Sequence, residues 1–264
     1  MNKLQIGLAL GSGAARGYAH IGVLQVFERE GIPIDIITGS SIGSIMGAAY
    51  AAGIGADMLK EQALHIRRRH WVDLCIPKLG LIAGNKIETV LNTIMGNKNF
   101  EELDIPLGVM ATDLYTKKSI LIKEGNVARA VRASIAIPGI FHPVKLQDKL
   151  FVDGGLLERV PGTQAREMGA NFVVGVELGF GNKLPIKNIY DVIIHTFDIM
   201  GNEIQLLKKY DCDVLITPDL SDVDPLNFSV NQVKKCINEG KRATEQVLPQ
   251  ILKIVRKRGK SCEE

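Results

Sequence analysis

Ser41 stands in Gly39-Ser40-Ser41-Ile42-Gly43, with a glycine two positions to either side. Residues 34–38 ahead of it are rich in β-branched side chains and residues 44–52 behind it are small and apolar, so the serine falls where a buried strand turns into a helix. In a G-x-S-x-G nucleophile elbow, that turn projects the hydroxyl above the sheet while the glycines let neighbouring backbone pass closely. A serine here also reads as a simple helix N-cap. Nucleophilic attack on an acyl carbon needs more than the hydroxyl: a base must take its proton, and N–H donors must receive the developing oxyanion.

Two other stretches have the composition for those tasks. Gly11-Ser12-Gly13-Ala14-Ala15-Arg16-Gly17 follows a first strand and opens an amphipathic helix, leaving backbone N–H groups free to hold an anion. As a dinucleotide loop, G-x-G-x-x-G from Gly11 would need a glycine at Arg16. The acid expected at the end of the second strand is also missing, since Asp35 lies at its beginning. A loop with free N–H groups beside a candidate nucleophilic serine suits an oxyanion hole instead, and the Ile42 N–H behind the serine could add to it. Phe151-Val152-Asp153-Gly154-Gly155 offers a carboxylate, although Asp-Gly-Gly alone reads as a turn. An ordinary aspartate, with a pKa of about 3.9, is a weak base, so Asp153 in this role requires burial in an apolar cleft. Ser41, Asp153 and His195 also obey the chain order of an α/β-hydrolase triad. Against that, Ser41 follows only the second strand and His195 sits in a stretch that reads as helix.

Strand signals recur at residues 6–10, 34–38, 107–111, 172–176 and 214–217. Helical stretches fall at 14–29, 44–52, 56–65, 86–95, 126–135, 160–168, 189–209 and 232–257. Such alternation predicts a three-layer α/β fold, a mainly parallel central sheet with helices on both faces. Residues 113–124 read as a hairpin about Thr116-Lys117-Lys118. Residues 1–264 read as a single domain without repeat or linker, with a helical extension from about residue 226 and a frayed tail at 259–264.

Composition narrows the partners. With 264 residues, 46% of them hydrophobic, the chain supports one substantial core. A formal net charge of +3 gives neither the basic field that nucleic acid demands nor the signature of disorder. Cys75, Cys212, Cys236 and Cys262 lack metal-site spacing and suit free thiols in a reducing compartment, which predicts a cytoplasmic location. The N-terminal apolar run is short and broken by Gln5 and Gly7, so it reads as a strand and not as a signal peptide. No apolar run approaches the about 20 residues that span a bilayer, and any membrane contact is expected to be peripheral, at the inner face.

Several motifs then occur in one order: "LALGSGAARGYAHIGVL" at 8–24, "GSSIG" at 39–43, "ATDL" at 111–114 followed by "AVRASIAIPGIFHPV" at 130–144, and "FVDGG" at 151–155. From about residue 4 to residue 178 the chain resembles the patatin-like phospholipases, in particular their compact bacterial members. The resemblance implies a Ser-Asp dyad, which carries over to Ser41 and Asp153, with oxyanion donors at Gly13 and Ala14. Gly11, Arg16, Gly17, Gly39, Gly43, Gly154 and Gly155 are the supporting motif positions. It further implies lipid acyl hydrolysis without cofactor, nucleotide or metal. Two departures stand out. The family loop is usually G-G-G-x-[RK]-G, of which Ser12-Gly13-Ala14-Ala15-Arg16-Gly17 keeps only the middle glycine of three; and Glu158-Arg159-Val160-Pro161 replaces the N-P-V-P of many bacterial relatives.

The expected substrate is a lipid or acyl ester. The alternative is a catalytically idle relative whose cleft binds a lipid or protein partner as a scaffold. Residues 134–144, apolar and stiffened by two prolines, suit the wall of an acyl pocket. Arg67, Arg68 and Arg69 beside Trp71, the only tryptophan, have the pattern of an interfacial anchor to anionic lipid; a solvated basic helix end reads equally well.

Overall fold

The computed structural model describes residues 4–65, 72–76, 78–179 and 186–260. Strand β1 (Ile6–Leu10) leads through a 3₁₀ turn (Ala14–Tyr18) into α1 (Ala19–Arg29), and β2 (Ile36–Ser40) leads into α2 (Ile42–Ala51) and α3 (Ala56–His65). A short β3 (Gly80–Ile82) and α4 (Asn85–Ile94) precede β4 (Leu107–Asp113), which turns back as β5 (Lys118–Ile122). There follow α5 (Val127–Ser134), β6 (Gly139–Phe141), β7 (Val144–Leu146), β8 (Lys149–Asp153) and α6 (Gly162–Glu167). The chain continues through β9 (Phe172–Val176), α7 (Ile189–Leu207), β10 (Val214–Ile216) and α8 (Val230–Lys260).

Eight strands form one sheet in the order β10-β9-β1-β2-β4-β8-β7, with β5 also on β4. From β10 to β4 every neighbouring pair is parallel, while β5, β7 and β8 add antiparallel pairings. The continuous apolar runs of β1 and β9 are buried along their whole length, as a sheet covered on both faces requires. Side-chain alternation sorts the strands between two faces. Ile6, Leu8 and Leu10 enter the main core with residues of α1, α2, α5 and α8, whereas Ala9 and Val173 pack against Ala165 of α6. The fold is thus a mixed α/β architecture with helices on both faces of a central sheet. On one face α1 and α8 touch backbone to backbone: a Cβ on Gly22 would lie 2.0 Å from Ile237 O, and one on Gly240 would lie 2.0 Å from Ala19 O.

Several elements differ from the sequence expectation. Residues 14–29 are not one helix, because the first turn is 3₁₀ and α1 begins at Ala19. Strand β2 runs two residues further than expected, to Ser40, and α2 starts at Ile42, so a single residue makes the turn between them. Strand β8, unseen in the sequence, carries Asp153 at its end. Helix α8 continues through Lys260, and residues 261–264 lie outside the described residues. No described helix is long and apolar enough to cross a membrane.

Candidate active site

Register brings the two key side chains together. Strand β5 occupies one edge of β4 from Val109 to Asp113. Strands β2 and β8 therefore share the opposite edge, where Ser40 lies beside Met110 and Asp153 beside Ala111. The two strands point at each other and end at adjacent rungs of β4. Ser41 is the next residue after β2, and although 112 positions separate it from Asp153, its Oγ donates to Asp153 Oδ2 at 2.7 Å.

Ser41 has φ 51° and ψ −123°, a left-handed φ that non-glycine residues adopt at a cost of about 1–3 kcal/mol. The surroundings hold it there. Its N–H donates to Ser134 Oγ at 2.9 Å, and its carbonyl accepts from Ser44 Oγ at 2.6 Å. The flanking glycines provide the room: a Cβ on Gly39 would stand 2.6 Å from Gly43 O, and one on Gly43 would stand 2.1 Å from Leu10 O. Although Ser41 occupies the N-cap position of α2, its hydroxyl makes no capping bond. The N-cap reading is corrected on that ground: the hydroxyl is turned to Asp153.

Asp153 is fixed on three further sides. Its Oδ1 accepts the Gly155 N–H at 2.8 Å, its own N–H donates to Ala136 O at 3.0 Å, and its carbonyl accepts from Thr112 Oγ1 at 3.0 Å. Burial pushes the carboxyl up to about 6, against the opposing pull of Ser41, Gly155 and the Arg159 charge. Because serine and aspartate bond directly, no imidazole stands between them, and His195 instead lines the cavity from α7.

The glycine-rich loop uses its backbone donors selectively. Gly11 N–H goes to Val176 O and Ser12 N–H to Arg159 O, each at 3.0 Å; Ala15 N–H goes to Pro225 O at 3.0 Å and Arg16 N–H to Gly13 O at 3.1 Å. Among the described residues, the N–H groups of Gly13, Ala14 and Ile42 donate to no acceptor. Gly17 is where the loop meets the elbow, since a Cβ there would stand 2.1 Å from Ile42 Cγ1. His20 donates its Nε2–H to Gly11 O at 2.8 Å, and burial pushes its pKa down to about 4, so it braces the loop as a neutral ring. Arg16 is buried and paired with Asp198 at 3.0 Å. Arg159 reaches Asp198 at 3.5 Å and Gly179 O at 3.3 Å. Gly154 lies against β4, a Cβ there meeting Met110 O at 2.2 Å.

Ser41, Ile42 and Ala14 lie on the wall of a cavity of about 1210 Å³. Ile45 and Met46 of α2, Leu91 of α4, and Ile137, Ile140 and Phe141 of the predicted wall segment make its lining largely apolar. Sequence reading missed the contributions of α4 and α7, and it missed Ser134, whose hydroxyl holds the Ser41 N–H. Arg67, Arg68, Arg69 and Trp71 lie outside the described residues. Among the described residues no three His, Cys, Asp or Glu side chains are grouped as a metal ion would need.

A mostly parallel sheet thus sets an elbow serine directly on a buried aspartate, beside an apolar cavity. Residues 8–166 match the family profile described as patatin-like phospholipase, more than half of the chain, and the chain belongs to that family. It is 36% identical over 187 residues to an uncharacterised NTE family protein of Mycobacterium tuberculosis, an overlap covering 70% of this chain and 52% of the relative. It is 33% identical over 199 residues to patatin-like phospholipase domain-containing protein 6 of Homo sapiens, covering 70% of this chain and 14% of that protein. The chain thus spans about half the length of its mycobacterial relative. In fold it is similar to VipD of Legionella pneumophila, with a TM-score of 0.59 at 14% identity over 95% of this chain and 67% of that one. It is also similar to the type III effector protein ExoU, with a TM-score of 0.54 at 11% identity over 95% of this chain and 53% of that one.

Proposed function

We propose that this chain hydrolyses carboxylic esters of lipid type with Ser41 as nucleophile and Asp153 as general base. The carrying observation is the 2.7 Å bond to a buried Asp153 from the Oγ of Ser41, which lies on the wall of a large apolar cavity. Family membership supports the lipid class of substrate. As Oγ bonds to the acyl carbon, its proton passes to Asp153 Oδ2, and the carbonyl oxygen becomes an oxyanion received by the N–H groups of Gly13, Ala14 and Ile42. Each such donor contributes roughly 3 kcal/mol in sites of this kind. Collapse of the tetrahedral intermediate expels the alcohol, which takes the proton from Asp153. Water, giving a proton to the same carboxylate, then cleaves the acyl-enzyme and frees Ser41. A carboxyl at about 6 is ionised at neutral pH yet more basic than an ordinary aspartate, the compromise this cycle requires.

The apolar mouth of the cavity suits a substrate presented at a lipid surface. Leu74 both lines the cavity and is 76% exposed, and the exposed Ile186 and Ile189 flank the lining residues Lys187 and Asn188. A fluorophosphonate probe tests the central reading. It is expected to label Ser41, and Ser41→Ala is expected to abolish both labelling and ester turnover while the fold persists. An inert Ser41 in folded protein would instead support a lipid-binding scaffold.

A further inference from the structure

Arg16 is among the largest fully buried side chains of the protein, and its guanidinium has three destinations. Its Nε donates to Gly13 O at 3.3 Å, Nη1 to Gly179 O at 2.9 Å, and Nη2 to both carboxylate oxygens of Asp198, at 3.2 and 3.0 Å. Gly13 O, which also accepts the Arg16 N–H, belongs to the same planar trans peptide as the Ala14 N–H, and in such a unit the two point in opposite directions. Fastening the carbonyl on the Arg16 side therefore aims the N–H away from it, and Ala14 lines the cavity with Ser41. This peptide needs fastening more than a glycine-flanked one would. Ala14 sits at φ 49°, where its Cβ disfavours the backbone, so rotation of the peptide out of this state would relieve strain.

Asp198 lies on α7, whose Tyr190, Ile194 and His195 line the cavity. Its carboxylate is 14% exposed and joins Arg16 to Arg159, with Arg159 Nη1 at 3.5 Å. One acid on the helix beside the acyl cavity thus holds the side chain that orients the loop.

We propose that Asp198 is a positioning residue for the oxyanion hole: through Arg16 it keeps the Gly13–Ala14 peptide turned with its N–H toward Ser41, and it ties that donor to the placement of α7. This rests on the reading of Ser41 and Asp153 as the dyad. The consequence is a coupling between cavity and catalysis. Whatever seats α7 correctly, a filled acyl cavity above all, also seats the donor.

Hydrolysis of a short soluble ester by Asp198→Asn, followed from about pH 5 to 9 and normalised to Ser41 titrated with a fluorophosphonate, tests this. Expected is a plateau kcat lower by about 10- to 100-fold, less than the 10²–10³ for outright loss of a donor, with KM little changed and the acid limb of the pH profile in place. Asp198→Glu is expected to recover part of the loss. Asp198 acting through Arg159 on Asp153 would instead move the acid limb and spare the plateau, which overturns the proposal, as does an unchanged kcat. Where Asp198→Asn fails to fold because the carboxylate opposite buried Arg16 is lost, Arg16→Lys takes its place. A lysine keeps the charge opposite Asp198, but its single nitrogen cannot serve Gly13 O, Gly179 O and Asp198 together. The same kcat loss is expected, and normal kcat overturns the proposal. Normal Ser41 reactivity with undisturbed variants overturns the role of Asp198 alone, whereas wild-type protein inert at Ser41 overturns the dyad and this role together.

Discussion

Asp153 concentrates two opposed demands in one side chain. Burial lifts its carboxyl from 3.8 to about 6, so the folded protein holds the proton more tightly than the unfolded chain does. Between those two values unfolding releases a proton, and the Asp153 contribution to stability declines as pH rises, levelling above about 6. Ionised at neutral pH, the group costs on the order of 3 kcal/mol. Asp153→Asn keeps the shape and leaves an amide able to accept from Gly155 and donate to Ser41, while removing the proposed base. Turnover is expected to fall by orders of magnitude, while Tm near neutral pH holds or rises and its decline between about pH 4 and 6 shrinks. A lower Tm at neutral pH would mean that the charged bonds to Ser41 and Gly155 outweigh the burial. Independently, kcat/KM of the unmodified protein is expected to rise with pH through about 6 as the free carboxyl ionises. Ser41 and Asp153 were legible as residues because both sit in glycine-marked motifs. Ser134 and Asp198 were not: a serine at a helix end and an aspartate inside a helix carry no local mark, and their partners lie 93 and 182 positions away.

At the scale of elements, the site depends on α2 pressing against the end of β1. A Cβ on Gly43 would come within 2.1 Å of Leu10 O and 2.8 Å of Gly11 O, backbone atoms that cannot step aside singly. Gly43→Ala must push the first turn of α2 away from the glycine-rich loop, carrying Ser41 and the Ile42 N–H with it. Overpacking of this kind destabilises by about 1–3 kcal/mol, and turnover is expected to fall further than the lost stability explains. Near-normal turnover would show that the elbow tolerates a wider spacing than its geometry implies. The buried parallel strands were legible because their apolar runs are continuous. The three-residue β3 and β6 are set by pairing with each other and by a bridge from Leu74 to Ile82, and the place of β8, which turns back on β7, follows from sharing one edge of β4 with β2. That shared edge turns two separate motifs into one site, and it is a property of register, which periodicity does not encode.

Across the whole molecule, the cavity and its rim form one apolar system. A volume of about 1210 Å³ exceeds the roughly 300–1,000 Å³ of most small-molecule sites, and its walls include residues of α2, α3, α4 and α7. Each methylene moved from water into such a lining contributes about 0.8 kcal/mol, so KM is expected to fall stepwise with acyl length until the chain fills the space. The rim carries the same logic outward. Leu74 on the cavity wall, and Ile186 and Ile189 next in sequence to the lining residues Lys187, Asn188 and Tyr190, are 76%, 61% and 63% exposed, an apolar surface that suits cover by lipid. Replacing the three by serine removes exposed apolar surface and is expected to keep the Ser41–Asp153 bond in place. Binding to vesicles and hydrolysis of vesicle lipid are expected to drop at least tenfold, since each buried side chain of this size contributes about 1.5–3 kcal/mol. Hydrolysis of a short soluble ester is expected to stay within about twofold, because its acyl group is too small to need a lipid surface. Equal loss on both substrates would assign these side chains to the cavity wall itself, and undiminished vesicle hydrolysis would place the lipid-facing surface elsewhere on the molecule.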